Sequence, residues 1–213
     1  MASAPLLEIQ AIAFERDDRT LFSDVSVCLA AGEIMQVSGP NGCGKTTLLH
    51  ILATLKPPAH GQMLWRGDDI RADRFGYLAD IAFIGHQPGL KLALSARENL
   101  IWCARLHGLP VSGKIDMALD RAGLSHCKDV PCSTLSAGQL RRVALAVLHL
   151  REALLWLLDE PLTALDHEGI SELEAMFRSH LGEGGIIVFS SHQALSLAGV
   201  RNLPLTEYAA SLN

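Results

Sequence analysis

The chain is 213 residues long, 49% hydrophobic and acidic overall, with 18 Lys and Arg against 23 Asp and Glu and a formal net charge of −5. This length suits one large domain, or one domain with an inserted lobe, and the composition excludes an intrinsically disordered chain. The acidic balance excludes the overall basic field that attracts nucleic acid.

The first half of the chain predicts short strands around one helix. Strands are predicted at residues 6–14, 21–29, 34–38, 62–65 and 81–84. A turn at 17–19 separates the first two strands, and another at Gly67-Asp68 follows the fourth. The helix is predicted at residues 47–53, because the run Lys56-Pro57-Pro58 brings it to an end.

The second half predicts helices first and then two buried strands. Helical periodicity covers residues 95–124, where Gly108-Leu109-Pro110 divides two helices and Ser112 is the predicted N-cap of the second; a third helix is predicted at 138–151. The later segments 154–158 and 186–189 are apolar throughout, which is typical of central parallel strands covered on both faces. The sequence therefore predicts one α/β domain, with a helical lobe inserted at residues 88–150.

Neither a targeting segment nor a membrane span is predicted. The first positively charged side chain is Arg16, so the N-terminus lacks the basic region of a signal peptide. The most apolar stretch, residues 143–158, is too short and too charged to cross a bilayer, because His149, Arg151 and Glu152 interrupt it. Five scattered cysteines, an odd number, favour a reducing compartment. We expect a cytosolic protein, or one that reaches a membrane only through a partner.

The most informative motif is a glycine-rich run between a predicted strand and the first predicted helix. It fits the phosphate-binding pattern G-x-x-x-x-G-K-[ST] and consists of Gly39, Pro40, Asn41, Gly42, Cys43, Gly44, Lys45, Thr46 and Thr47. Glycines let backbone N–H groups wrap a polyphosphate, and the helix N-terminus adds the positive end of its dipole. Lys45 would reach the β- and γ-phosphates, and the Thr46 hydroxyl would bind Mg²⁺. The alternative is a chance glycine-rich turn, which the flanking strand and helix disfavour.

A second motif is the pair of acids, Asp159 and Glu160, that ends the predicted strand at 154–158. A buried strand delivers its last residues to the carboxyl edge of the sheet, where open α/β folds place their ligands. Asp159 would then hold the Mg²⁺ shell, while Glu160 would polarise the water that attacks the γ-phosphate. The alternative is a strand that ends in solvated acids before a turn at Pro161.

Further motifs resemble those of the ABC ATPase family. The run at 135–139, Leu-Ser-Ala-Gly-Gln, resembles the family signature with one Gly→Ala change. Gln87 resembles the Q-loop glutamine, the run Ala164-Leu165-Asp166 the D-loop, and His192 the switch histidine. The sequence around these motifs, at 84–91, 135–142 and 156–166, is similar to that of the CcmA family, the ATP-binding subunits of cytochrome c maturation systems. In that family an alanine is usual at this position of the signature.

The resemblance implies a fold and a set of partners. The fold would be the ABC type, with a mostly parallel core sheet, an antiparallel β subdomain and an inserted helical lobe. The family is a peripheral ATPase on the cytoplasmic face of the inner membrane. It acts with CcmB-like, CcmC-like and CcmD-like membrane subunits, and its ATP hydrolysis is linked to haem export or to release of a haem-loaded CcmE-like chaperone.

The resemblance also implies how the site works. Two copies would close head to tail over two ATP molecules with Mg²⁺, each ATP held by the phosphate loop of one copy and the signature of the other. The signature residues are Ser136, Ala137, Gly138 and Gln139. Lys45, Glu160 and His192 would be catalytic, and Thr46, Gln87 and Asp159 would hold the metal. Asp166 would cross the interface. Phe14 has two open interpretations, an adenine-stacking ring or a core aromatic.

Several alternatives remain at this stage. A soluble ABC ATPase of DNA repair or translation typically carries a coiled-coil insertion or a second cassette, for which this chain has no room, and a non-hydrolysing sensor is disfavoured by its catalytic residues. His126, Cys127 and Cys132 could be read as haem ligands. We favour the alternative interpretation, in which the histidine is solvated and the cysteines are packed. Arg141 and Arg142 are expected to brace the signature helix rather than bind nucleic acid.

Overall fold

A five-stranded parallel sheet forms the centre of the molecule. The computed structural model describes residues 4–16, 19–111 and 113–209. The strands of this sheet, in spatial order, are β6 (Ile81–Ile84), β7 (Leu155–Asp159), β8 (Ile186–Ser190), β3 (Ile34–Ser38) and β9 (Val200–Pro204). Every residue of β7 and β8 is buried, as expected for strands with both faces covered. Because all five strands run parallel, their carboxyl ends meet at one edge.

A four-stranded antiparallel sheet packs beside the parallel one. Its strands, in spatial order, are β2 (Arg19–Ala30), β1 (Pro5–Arg16), β4 (His60–Trp65) and β5 (Asp68–Asp69). One hydrophobic cluster joins this sheet to the first helix and to the parallel sheet, through Ile9, Phe22, Leu49, Leu157 and Val188 among others. This shared core fixes the antiparallel sheet against the phosphate loop (residues 39–47).

Six α-helices complete the described part of the chain. They are α1 (Lys45–Leu52), α2 (Arg74–Asp80), α3 (Ala96–Leu106), α4 (Lys114–Arg121), α5 (Ala137–Ala146) and α6 (His167–Gly182). Helices α3, α4 and α5 share their own hydrophobic cluster, which includes Leu100, Leu119 and Val143. The opposite face of α5 packs Ala144 and Leu145 into a third cluster that covers the parallel sheet. Helix α5 therefore connects the helical region to the sheet.

The predicted fold class is confirmed, and the differences concern single elements. The third predicted helix ends at Ala146 instead of 151, and a 3-10 turn follows at 147–149. The helical pattern of apolar residues continues beyond Ala146 because Leu148 and Leu150 are buried, although they are not in the α-helix. Helices α2 and α6 and strands β5 and β9 were not predicted; Asp68, predicted in a turn, begins β5. The predicted N-cap Ser112 and the turn residues 17 and 18 lie outside the described residues. The limits of the lobe, 88 and 150, stay a prediction.

None of the helices in the described ranges is long and apolar enough to cross a membrane.

Candidate nucleotide-binding site

The site lies at the carboxyl edge of the parallel sheet, where the ends of three strands come together. The phosphate loop connects β3 to α1, Glu160 follows β7, and His192 follows β8. A cavity of about 520 Å³ opens at this edge. Its lining residues are Arg16, Leu21, Asn41, Gly42, Gly44, Lys45, Thr46, Thr47, His86, Glu160, Thr163 and His192. Motifs separated by some 150 residues in sequence are thus neighbours.

The phosphate loop is closed by contacts that glycine and lysine make possible. Gly44 precedes α1 with φ +106°, and a Cβ there would lie 2.8 Å from the Phe22 ring, so only glycine fits without strain. The Lys45 ammonium bends back over the loop and donates to the carbonyls of Gly39 at 2.8 Å and Pro40 at 3.3 Å. Lys45 is 7% exposed, so its charge sits inside the curve of the loop, where the backbone amides can also face an anion.

A chain of short hydrogen bonds joins the phosphate loop to the acids after β7. Thr46 Oγ1 donates to Asp159 Oδ2 at 2.9 Å, and Ser190 Oγ donates to Asp159 Oδ1 at 2.6 Å. The same Ser190 oxygen accepts the Glu160 N–H at 2.9 Å. Asp159 is 2% exposed, and its carboxylate beside a threonine hydroxyl is the oxygen-rich donor set that Mg²⁺ prefers. The residues present therefore fit the metal.

Glu160 and His192 face each other across the cavity. Glu160 has φ +51°, a left-handed backbone that turns the chain sharply where the strand ends. His192 Nε2 lies 3.4 Å from Glu160 Oε1, 2.8 Å from Asn41 Oδ1 and 3.3 Å from Lys45 Nζ. With a proton on Nε2, the ring donates to Asn41 and stands within reach of Glu160. The arrangement brings an acid, a histidine and a lysine to one point.

Arg141 stabilises the turn that carries Glu160. This arginine lies on α5, is 3% exposed, and donates to four backbone carbonyls, those of Gly85 at 2.9 Å, Asp159 at 2.6 Å, Glu160 at 2.7 Å and Pro161 at 3.3 Å. Burial lowers the pKa of its guanidinium, while the neighbouring carboxylates Asp159 and Glu160 oppose that shift. The expected bracing role of Arg141 is seen in these bonds.

The signature run begins α5 in a second, separate cavity. Ser136 and Gln139 form a reciprocal capping box, with bonds of 2.9 and 3.2 Å between each side chain and the other's N–H. A Cβ on Gly138 would lie 2.7 Å from the Ala164 carbonyl oxygen, so α5 and the D-loop pack at backbone distance. Ala137 occupies the first helical position and is exposed, so its methyl group is accommodated.

This second cavity, of about 600 Å³, shares no lining residue with the first. It is lined by Gly123, Leu124, His126, Ser136, Ala137, Gly138, Gln139, Arg142, Ala164, Leu165, Asp166 and Glu168. Asp166 accepts the Gly169 N–H at 2.9 Å at the start of α6 and pairs with Arg142 at 2.9 Å; both contacts hold its pKa below the usual range, the N–H bond most. One chain therefore keeps its signature apart from its own phosphate loop.

Phe14 and Gln87 are among the predicted site residues that do not line the phosphate-loop cavity, as are Gly39, Pro40, Cys43 and Asp159. The Phe14 ring packs at a tilt 6.3 Å from the Phe22 ring, with the Lys56 ammonium 5.5 Å from its centre, which favours the core interpretation. The neighbouring positions that do line the cavity are Arg16, on the same face of β1, and Leu21. Gln87 is exposed in the loop after β6, and that loop contributes His86 to the lining.

Sequence reasoning missed Arg16, Leu21, His86, Thr163 and Ser190. The period of two along a strand could have identified Arg16, since it follows Phe14 on one face and lies nearer the strand end. Ser190 ends a strand that had been predicted one residue too short. Leu21 lies near the start of β2, while His86 and Thr163 lie in connections, where spacing alone gives no direction.

The cysteines considered as haem ligands are packed inside the helical region. Cys127 is 7% exposed and Cys132 is 0% exposed, and burial raises the pKa of both thiols, which disfavours the thiolate that binds a metal. Asn99 Nδ2 lies 3.4 Å from Cys132 Sγ, and Gln139 Nε2 lies 3.9 Å from Cys127 Sγ. These contacts support the interpretation of packed cysteines.

The fold, with a phosphate loop at the carboxyl edge of its parallel sheet, is that of the ABC transporter nucleotide-binding subunits. The ABC transporter family profile matches residues 22–163. An ABC transporter ATP-binding protein of Pyrococcus furiosus superposes with a TM-score of 0.83 at 29% identity, over 96% of this chain and 99% of that one. The cbiO1 protein of Clostridium perfringens, part of an ABC transporter complex, superposes with a TM-score of 0.74 at 28% identity, over 89% and 79%.

The relatives narrow the class further. The cytochrome c biogenesis ATP-binding export protein CcmA of Yersinia pseudotuberculosis is 49% identical over 190 residues, 89% of this chain and 87% of that protein. CcmA of Pseudomonas syringae is 46% identical over 97% and 98%, and CcmA of Escherichia coli O157:H7 is 44% identical over 96% and 99%. The chain belongs to the ABC transporter family and, within it, to the CcmA family of cytochrome c biogenesis ATP-binding export proteins.

Proposed function

We propose that two copies of this chain close head to tail over two ATP molecules and hydrolyse them. The observation that carries the proposal is the separation of the two half-sites: the phosphate-loop cavity and the signature cavity share no lining residue. A helix N-terminus with free amides suits a phosphate, yet the signature of one chain lines a cavity separate from that chain's own phosphate loop. A second copy supplies the missing half. Membership of the ABC transporter family supports this pairing.

The chain is an ATPase that serves cytochrome c biogenesis, as its family membership indicates. Its relatives are export proteins by name, and the reaction it supplies is ATP + H₂O to ADP and phosphate. ATP binds the closed pair better than the open one, and only that difference can do work on a partner. Loss of the γ-phosphate then reopens the pair, and we propose that this movement drives haem export or release of a haem-loaded chaperone.

Three side chains would carry the chemistry. Lys45 holds the β- and γ-phosphates, and Glu160 orients a water molecule in line with the γ-phosphorus. A bond forms from the water oxygen to phosphorus while the bond to the β–γ bridging oxygen breaks. The proton of the water passes to Glu160 and then to solvent, which leaves ADP and phosphate. His192, 3.4 Å from Glu160 Oε1, would hold the carboxylate and contact the γ-phosphate. The water cannot attack efficiently unless such a base orients it.

Thr46 and Asp159, already hydrogen-bonded to each other at 2.9 Å, would hold Mg²⁺. When bound, the ion supplies positive charge that neutralises the phosphate oxygens. Gln87 stays a predicted third ligand. Arg16 and Leu21, rather than Phe14, are the residues of the β1–β2 hairpin that we propose to contact the adenosine moiety, because they line the cavity.

We further propose that the chain works at the cytoplasmic face of the inner membrane with CcmB-like, CcmC-like and CcmD-like subunits, while a CcmE-like chaperone is affected indirectly. Family membership supports membrane partners in general. Co-purification of integral membrane proteins from cells that express the tagged chain separates this proposal from a soluble ABC ATPase. The identity of the co-purified proteins separates it from another small-substrate ABC transporter. Recovery without any membrane protein would favour the soluble enzyme.

The test of the mechanism is Glu160→Gln. The amide keeps the shape of the side chain but cannot polarise water, so ATP should stay bound between two copies. We expect at least about a 100-fold loss of phosphate release and a shift from monomer to dimer in light scattering when Mg-ATP is added. Glu183→Gln, at an exposed position after α6, is the matched control and should behave as wild type. Wild-type turnover in Glu160→Gln would remove this residue from its role.

A further inference from the structure

His192 depends on its surroundings for its position, because it lies in a segment without helix or strand. Residues 191–199 connect β8 to β9. The His192 side chain is 50% exposed, so packing alone does not fix it. Its Nε2 nevertheless lies within 3.4 Å of Asn41, Lys45 and Glu160. Something outside the cavity must therefore hold the backbone of this segment.

Gln36 makes the contacts that could do so. It lies on β3, between β8 and β9, and its amide nitrogen donates to the Ser191 carbonyl at 3.0 Å and to the Gln193 carbonyl at 3.2 Å. These two carbonyls stand on either side of His192. A primary amide carries two hydrogens, so one Nε2 can satisfy both bonds at once. Gln36 is not among the residues that line the phosphate-loop cavity, and both of these bonds go to the segment.

A second tether holds the same segment further along. Glu174 of α6 is 8% exposed, and its Oε1 accepts the Ser196 N–H at 2.6 Å. Within the segment, Ser191 Oγ accepts the Gln193 N–H at 2.9 Å. The backbone around His192 is therefore attached to β3 on one side and to α6 on the other.

We propose that Gln36 is a positioning residue for His192, which sets the distance between the histidine and Glu160 during ATP hydrolysis. The inference rests on the function proposed above. Gln36 lies between Met35 and Val37, which are 1% and 0% exposed, and the 191–193 backbone accepts both bonds that its amide nitrogen donates. Since misplacement of a catalytic group by about 1 Å can cost about 100-fold in rate, loss of this clamp should reduce turnover without changing nucleotide affinity.

The experiment compares Gln36→Met and Gln36→Glu in the wild-type and His192→Ala backgrounds. Methionine keeps the length of the side chain and removes both donors, while glutamate keeps its shape and turns an oxygen towards two carbonyls. In the wild-type background we expect kcat to fall at least about tenfold, with the ATP dissociation constant, measured with a fluorescent ATP analogue, unchanged within about twofold. In the His192→Ala background the same substitutions should change single-turnover hydrolysis by less than about twofold, because the residue they position is gone.

The control is Gln10→Met, a glutamine on β1 that bonds Gln62 at 2.7 Å, far from the 191–199 segment. It should keep wild-type kcat. Equal losses from Gln36→Met in both backgrounds, or loss of nucleotide binding in both Gln36 variants, would show a general structural role and overturn the inference. If Gln36→Met matched Gln10→Met while His192→Ala lost turnover, the inference would fail and the proposed function would stand. Absence of hydrolysis in the wild type itself would remove both.

Discussion

At the scale of single residues, the phosphate loop carries one side chain that invites a chemical test. Cys43 is half-buried in the loop, and its sulfur packs so closely on Gly39 that a Cβ there would lie 2.6 Å from it. A bulky group added to the sulfur would press on the loop backbone at Gly39, beside the place where the phosphates would bind. The loop therefore leaves room for a thiol but not for a larger substituent.

We predict that alkylation of Cys43 with N-ethylmaleimide abolishes ATP binding and that prior addition of Mg-ATP protects the thiol. The measurement is binding of a fluorescent ATP analogue, with the extent of modification at each cysteine read by mass spectrometry. Cys43→Ser is the control. This variant should bind ATP, and its ATP binding should be unaffected by the reagent even though the exposed Cys28 still reacts. Unchanged binding after complete labelling of Cys43 would contradict the prediction.

At the scale of elements, the buried guanidinium of Arg141 joins α5 to the ends of β6 and β7. Its four carbonyl acceptors lie at Gly85 and along residues 159–161. An apolar replacement would remove a donor from all four carbonyls, of which that of Glu160 keeps the Thr163 N–H at 3.2 Å, and each buried group left unsatisfied costs about 1–3 kcal/mol. We predict that Arg141→Met lowers the free energy of unfolding by about 2–4 kcal/mol and reduces turnover, measured by urea denaturation and phosphate release.

The neighbouring arginine provides the comparison. Arg142 pairs with Asp166 and Glu172, whose side chains are 71% and 37% exposed, so solvent screens these ion pairs. Such pairs contribute about 0–1 kcal/mol. Arg142→Met should therefore cost clearly less stability than Arg141→Met. Equal costs for the two variants would show that the carbonyl contacts of Arg141 do not determine its contribution.

The elements also show what the sequence could and could not predict. Strands β7 and β8 were predicted because an apolar run ending in Asp159 or in Ser190 and Ser191 has one simple interpretation. Strand β9 is an edge strand with exposed Arg201 and Asn202 and a terminal proline, so neither alternation nor hydrophobicity marks it. Its place is set by pairing with β3, a long-range contact that no local pattern reports.

The same distinction applies to the site. Motifs such as the phosphate loop name their own residues, because each residue type has a chemical reason at its spacing. The contacts that hold these motifs in place cannot be identified from the sequence in this way. Gln36 lies 155 residues from Ser191, and Arg141 reaches Gly85 across the interface between helix and sheet. Such contacts depend on strand order and helix rotation, which follow from packing of the whole domain.

At the scale of the whole molecule, two histidines couple stability to pH. His149 follows α5 and His180 lies on α6, and both line the cleft between these elements and β7. Burial lowers the pKa of both rings; for His149 the Arg121 charge adds to this, whereas for His180 backbone hydrogen bonds and Glu183 oppose it. The His180 ring also stacks on the Trp156 ring, with centroids 3.7 Å apart, inside this cleft.

The sign of the effect follows from proton uptake. Since the folded pKa lies below the ordinary value of 6.5, the unfolded chain binds more protons as pH falls through that value, and folded stability decreases. We predict that the urea midpoint of the wild type decreases when the pH is lowered from 7.5 to 5.5. The midpoint of the His149→Gln/His180→Phe variant should decrease less over the same interval. His60→Gln, at an exposed position of β4, is the control and should keep the wild-type dependence. If the midpoint of the double variant decreased as much as that of the wild type, other groups would cause the acid sensitivity. The two buried rings would then bind no more protons in the unfolded chain than in the folded one.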